Sequence, residues 1–140
     1  MTTARAVRTP PRDVPPLNAA TRGAAVAFFP LLLWGVIGPP LAGLMPAAAL
    51  AEFLLLTGVV ACYVLAGFRA GSVAVPTLGI HAGAGAGLVT YLLVLPVNLV
   101  AGQGLDPLGL VTSAGLAAGV GAGAGHIGRR ARQQERKRST

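Results

Sequence analysis

Four long apolar runs follow one another along the chain, separated by short breaks that contain proline, glycine or charged residues. A helix needs about 20 apolar residues to cross a hydrocarbon core of about 30 Å, so the pattern predicts four membrane spans. The first run is short, and we expect Pro30 to kink it and Pro39 and Pro40 to end it. The third run is long, so it either tilts or begins only near Pro76. The predicted spans are about 24–38, 46–68, 76–100 and 108–127.

The segments outside these runs lack apolar periodicity. Residues 1–22 contain four prolines and four arginines, a composition typical of a disordered or loosely extended tail. Residues 129–140 form a second, basic tail. The domain organisation is therefore a transmembrane domain over 23–128 between two cytoplasmic tails, and the fold class is all-α, an integral membrane four-helix bundle.

The positive charges predict the orientation. With four spans, all eleven lysines and arginines lie on one side of the membrane, and the two loops on the other side contain none. The positive-inside rule then places both termini in the cytoplasm, in a multi-pass protein of the cell membrane. Three or five spans would leave one basic tail outside. The eleven residues are Arg5, Arg8, Arg12, Arg22, Arg69, Arg129, Arg130, Arg132, Arg136, Lys137 and Arg138.

Composition supports lipid as the surrounding solvent. Hydrophobic residues make up 54% of the chain and charged residues 11%, whereas a soluble domain carries about 25% charged residues. The formal charge of +7 raises the question of nucleic acid. None of the basic residues lies inside an apolar run, so we expect no folded basic surface for a duplex and no nucleic-acid partner.

Glycines recur every four residues in the third and fourth spans. Such rows lie on one side of a helix and let two backbones approach closely. The alternative is that they only reflect a chain of 140 residues with 20 glycines. A second row in the fourth span, Ala117, Gly121 and Gly125, lies nearly opposite the first and favours contacts with several neighbours, hence a homo-oligomer or a larger membrane complex. The first-choice packing residues are Gly79, Gly83, Gly87, Gly115, Gly119 and Gly123.

Glu52 is the one acidic residue inside a predicted span. Carboxylates within a membrane are costly and mark ion or proton pathways by default. About six residues beyond Pro46, it would lie roughly 9 Å below the outer boundary. The alternative interpretation is a structural hydrogen bond, since no second acid and no basic residue lies within a span to form a relay.

His81 and His126 are the two histidines, and both fall toward the cytoplasmic side. A histidine pair can hold haem or a metal or shuttle protons, but a zinc site needs a third ligand that the spacing does not offer. The bland alternative is hydrogen bonding between helices. The single cysteine, Cys62, is expected to be a small buried apolar side chain. We therefore expect no metal, no cofactor and no enzymatic activity, because no nucleophile, base and orienting group occur together.

The stretch LAGFRAGSVAVPTLGIHAGAGAG, residues 65–87, joins the end of one span, a short Arg-Ala-Gly turn and a glycine-rich span. It resembles small four-span membrane proteins of unknown function in bacteria and archaea, a resemblance that implies no activity. Four-span multidrug exporters carry a glutamate in their first span, which this chain lacks. The expected function is a non-enzymatic accessory or structural subunit. The alternatives are a minimal transporter or oligomeric pore using Glu52, and a haem- or metal-binding membrane anchor.

Overall fold

A computed structural model describes residues 14–75, 77–100 and 107–138. These residues form four long helices, which confirms the predicted all-α four-helix bundle. Each helix is long and apolar enough to cross a membrane, and the chain is accordingly a small multi-pass membrane protein. In chain order the helices are α1 (Pro16–Gly43), α2 (Ala48–Val73), α3 (Gly79–Val100) and α4 (Pro107–Arg138).

Helix α1 is longer than predicted at both ends. It begins at Pro16. Proline fits there because a backbone N–H in the first turn of a helix has no acceptor within the helix, so its absence costs nothing. It then continues through Pro39 and Pro40, so the expectation that these prolines end the helix is wrong. Both prolines are exposed in the last turn, and their fixed φ suits a helix even though they leave two earlier carbonyls without a backbone donor.

Helices α2 and α4 also extend past their predicted ends. The residues from Arg129 to Arg138 continue α4 as one helix, where the sequence pattern predicted a separate basic tail. They are almost all Arg, Lys, Gln, Glu and Ala, which are strong helix formers once a preceding helix provides the first turn. Residues 1–13 and the loop with Asp106 lie outside the described residues.

The helices pack as a diamond. Helices α2 and α3 contact each other, and each also contacts both α1 and α4; among the described residues α1 and α4 do not contact one another. One end of the bundle, which we call the basic end, contains the start of α1, the α2–α3 turn and the last turns of α4. The opposite end contains the α1–α2 turn and the start of α4.

The core is built from small residues and lies mostly in the half near the basic end. Among the described residues, the part of α2 that precedes Cys62 and the part of α4 that precedes Ala117 contain no buried residue. Both parts lie toward the opposite end. Large apolar side chains point outward instead, as Phe29 and Val36 do. An apolar exterior around a core of alanine and glycine suits a bundle surrounded by lipid. The central cluster contains Ala19, Ala20, Ala27, Ala66, Ala70, Ala74, Ala82 and Ala86.

Candidate functional site

Three helices meet at a junction made of glycine. A Cβ placed on Gly67 of α2 would overlap the carbonyl oxygen of Gly121 in α4, and one on Gly83 of α3 would overlap the same oxygen. One turn further along, a Cβ on Gly71 would overlap the carbonyl oxygen of Gly125. Backbones this close pack through main-chain atoms and Cα–H groups rather than through side chains. We call these five residues the glycine junction.

The remaining contacts between α3 and α4 continue along both helices. Gly87 faces the carbonyl oxygen of Ala117, and Gly79 lies against the aliphatic part of Arg129, where a Cβ would be 3.0 Å from the arginine Cβ. Gly79, Gly83 and Gly87, predicted from their spacing, therefore all lie against α4. On the other side of the bundle, Gly23 of α1 meets the backbone of Ala66.

The two small-residue rows of α4 face different surroundings. The row of Ala117, Gly121 and Gly125 packs against α2 and α3. The other row, Gly115, Gly119 and Gly123, is open, with no described atom within 4 Å of a Cβ placed on any of the three. The spacing of its glycines predicts that this row packs against a helix, but within the described part of the chain it packs against nothing. Its packing against another molecule stays a prediction.

In the half toward the opposite end, aromatic side chains hold neighbouring helices together in pairs. The indole of Trp34 in α1 lies directly over Gly58 of α2, and its Nε1–H donates to the carbonyl oxygen of Leu55 at 3.2 Å. The hydroxyl of Tyr91 in α3 donates to the carbonyl oxygen of Leu110 in α4 at 3.3 Å. In this half, one contact therefore joins the two helices of the α1–α2 hairpin, and another joins the two helices of the α3–α4 hairpin.

Glu52 lies near the opposite end of the bundle and is exposed. At about 100° per residue it shares a face of α2 with Tyr63 and Ala70, both of which are buried. It therefore lies on the inward stripe of α2, at a level where that stripe is no longer covered. Its distance from Arg69 along the helix is about 25 Å, so in a hydrocarbon core of about 30 Å its carboxylate is within reach of the interface.

The two histidines lie at similar depth but on different surfaces. His81 is exposed and sits about 180° around α3 from buried Thr90. His126 is half buried, and its Nδ1 lies 3.1 Å from the Arg129 guanidinium. A guanidinium has only N–H donors, so Nδ1 is the accepting atom in this contact. The structure does not bring the two rings together as a ligand pair.

The basic end is closed by hydrogen bonds to the end of α2. The Arg132 guanidinium donates to the carbonyl oxygen of Ala74 at 2.8 Å, where a positive charge also suits the helix dipole. The backbone N–H of Val14 donates to the carbonyl oxygen of Val73 at 3.4 Å. Gly128 packs against the backbone of Phe68, so α4 is fastened to α2 up to the level of the α2–α3 turn.

The sequence pattern does not identify two of the five residues of the glycine junction. Gly67 and Gly71 lie four residues apart at the end of α2, the same spacing that drew attention to α3 and α4. A pair is shorter than the three-member rows of α3 and α4, so its spacing alone does not predict packing in a glycine-rich chain. No glycine lies four residues from Gly128 in α4, so the spacing gives no signal for its contact with Phe68.

Nothing in the described residues has the composition of a metal site, because no group of three or more His, Cys, Asp or Glu side chains converges there. Comparison with protein-family models, curated proteins and solved structures finds no match for the chain.

Proposed function

We propose that the chain is a non-enzymatic subunit of a membrane assembly that docks other membrane helices on the open row of α4. The observation that carries the proposal is the difference between the two rows: the inner row is fully used in the bundle, and the outer row of Gly115, Gly119 and Gly123 has the same spacing but no neighbour. A lipid-facing surface gains little from glycine, whereas a helix–helix contact does.

The rest of the outer face supports this proposal. Around α4, the open row is accompanied by Thr112, whose hydroxyl bonds to the carbonyl oxygen of Leu108 at 3.0 Å in its own helix. Large apolar side chains such as Val111 are exposed on α4, as Phe29 is on α1 and Phe53 on α2. The open row is the part of this face without side chains, which lets a neighbouring backbone approach closely.

Purification from the native membrane in mild detergent tests the proposal. We expect wild-type protein to retain one or more membrane partners, or a second copy, and Gly119→Leu to lose them. Gly35→Leu is the matched control, since Gly35 in α1 is equally open. Loss of partners in both variants, or in neither, would contradict docking on this row.

A minimal transporter or an oligomeric pore is the competing function, favoured by the position of Glu52 on the inward stripe of α2. Close backbone packing at the glycine junction leaves no room for a conduit through a single bundle, so a pore would have to form between copies. Flux of monovalent cations or protons into protein-containing liposomes discriminates the two. A subunit without transport activity gives no flux above empty vesicles, whereas flux abolished by Glu52→Gln would establish transport in its place.

A further inference from the structure

Each of the four helices has an arginine or a histidine at the same depth in the bundle. The contacts between the helices define this depth. Gly23 of α1 lies against Ala66 and Ala70 of α2, which brings Arg22 level with Arg69. These two arginines are neighbours in depth on adjacent helices. Both are exposed, and within the described part of the chain neither guanidinium group forms a hydrogen bond or an ion pair.

The same reasoning extends to the other two helices. Because Gly83 contacts both Gly121 and Gly125, His81 near it in α3 is level with the stretch of α4 that contains His126. Gly71 of α2 also contacts Gly125, so this stretch of α4 is level with the end of α2 that contains Arg69. The four side chains fall within about one helical turn, roughly 5 Å, along the bundle axis. We call Arg22, Arg69, His81 and His126 the girdle.

The girdle lies one hydrocarbon thickness from the opposite end. From Arg22 to the end of α1 at Gly43, and from Arg69 back to the start of α2 at Ala48, the distance is about 31 Å at 1.5 Å per residue. A hydrocarbon core is about 30 Å thick. When the α1–α2 turn lies at one membrane surface, the girdle lies in the headgroup layer of the other.

No carboxylate of the described residues neutralises the girdle. The acids in that part of the chain are Glu52, about 25 Å away along α2, and Glu135, about 14 Å beyond the girdle along α4. Arg22 lies about 180° around α1 from buried Leu31, and so it points out of the bundle. The guanidinium groups therefore face the surrounding headgroups with donors that the protein leaves available.

We propose that Arg22 and Arg69 bind the phosphate groups of anionic phospholipids in one leaflet, and so select an anionic lipid annulus around α1 and α2. A guanidinium matches phosphate with paired N–H donors. The charge near the surface contributes about a fivefold preference per arginine, which corresponds to about 1 kcal/mol. This inference does not depend on the proposed docking at α4, because it uses the other side of the bundle.

Spin-labelled lipids in reconstituted vesicles test the proposal. The full-length protein is placed in phosphatidylcholine vesicles, and the association of labelled phosphatidylglycerol is measured relative to labelled phosphatidylcholine. We expect wild-type protein to prefer phosphatidylglycerol, and the double variant Arg22→Gln with Arg69→Gln to lower that preference about 25-fold, the product of two fivefold factors. Arg22→Lys with Arg69→Lys keeps the charges and should retain most of the preference.

Lys137→Gln with Arg138→Gln is the matched control, since it removes the same formal charge. These residues lie about 17 Å beyond the girdle along α4, more than a Debye length of about 8 Å at physiological salt. The control should therefore keep the preference within about twofold. An equal loss in both glutamine pairs, or a wild-type preference that survives in the girdle variant, would overturn the proposal.

Discussion

At the scale of single residues, what a glycine does in this chain depends on what faces its missing side chain. Gly121 and Gly119 are two residues apart in α4, yet a Cβ on Gly121 would overlap the backbone of Gly83, and a Cβ on Gly119 would meet nothing. The two positions are otherwise comparable, since both lie in the same helix. They therefore separate the packing role of glycine from its cost to the helix.

Gly121→Ala should lower the free energy of unfolding by about 1–3 kcal/mol, because the added methyl group forces α3 and α4 apart in a core that has no space for it. Gly119→Ala should leave it unchanged or raise it by up to about 1 kcal/mol through the higher helix propensity of alanine. Denaturation in mixed micelles followed by circular dichroism measures both. A similar loss in both variants would exclude the proposed difference between the rows.

Trp34 offers an independent probe, because it is the one tryptophan of the chain. Gly58→Val should push the indole off α2 and break its bond to Leu55, since a Cβ at that position overlaps the ring. The fluorescence emission maximum should shift relative to wild type. Gly35→Val, next to the tryptophan in sequence but open in space, should leave the spectrum unchanged; equal shifts would contradict the contact.

At the scale of the helix, the end of α4 depends on contacts with α2 as well as on its own sequence. Arg132 bonds to the carbonyl oxygen of Ala74, and Gly128 packs on Phe68. The residues around them are strong helix formers. The basic segment therefore continues the bundle as far as Arg132 through contacts with α2 as well as through its own propensity.

Arg132→Ala should increase amide hydrogen exchange from 129 to 138 about tenfold, because a hydrogen bond from a charged donor contributes about 1.5 kcal/mol. Exchange around the glycine junction should not change. Arg130→Ala is the control, since Arg130 is exposed in the same turn. Equal acceleration in both variants would show that charge or propensity, and not the bond to Ala74, holds the segment.

The helices show which features of the structure the sequence predicts and which it does not. The number of helices and the start of α4 follow from hydropathy, because lipid requires long apolar runs and breaks are few. The end of α1 does not follow, since Pro39 and Pro40 are tolerated in a last exposed turn. Which row of α4 faces inward was also beyond the sequence, because Gly119 and Gly121 have the same side chain and differ only in the helix opposite them.

At the scale of the whole molecule, the bundle combines an apolar exterior, a small-residue core and a basic end. The glycine junction holds the two hairpins together near that end, and the girdle marks its depth. Toward the opposite end, the contacts by Trp34 and Tyr91 act within each hairpin. The bundle is therefore most tightly joined at the basic end, where the described part of the chain begins at Val14 and ends at Arg138.

Labelling of single cysteines tests whether both tails lie on one side of the membrane and the α1–α2 turn on the other. In a Cys62→Ser background, Thr3→Cys, Ser139→Cys and Leu44→Cys are each treated with a membrane-impermeant maleimide, on intact cells and on inverted vesicles. We expect the first two to react from the same side, the cytoplasmic one, and Leu44→Cys, in the α1–α2 turn, to react from the other. Labelling of positions 3 and 139 from opposite sides would contradict this expectation.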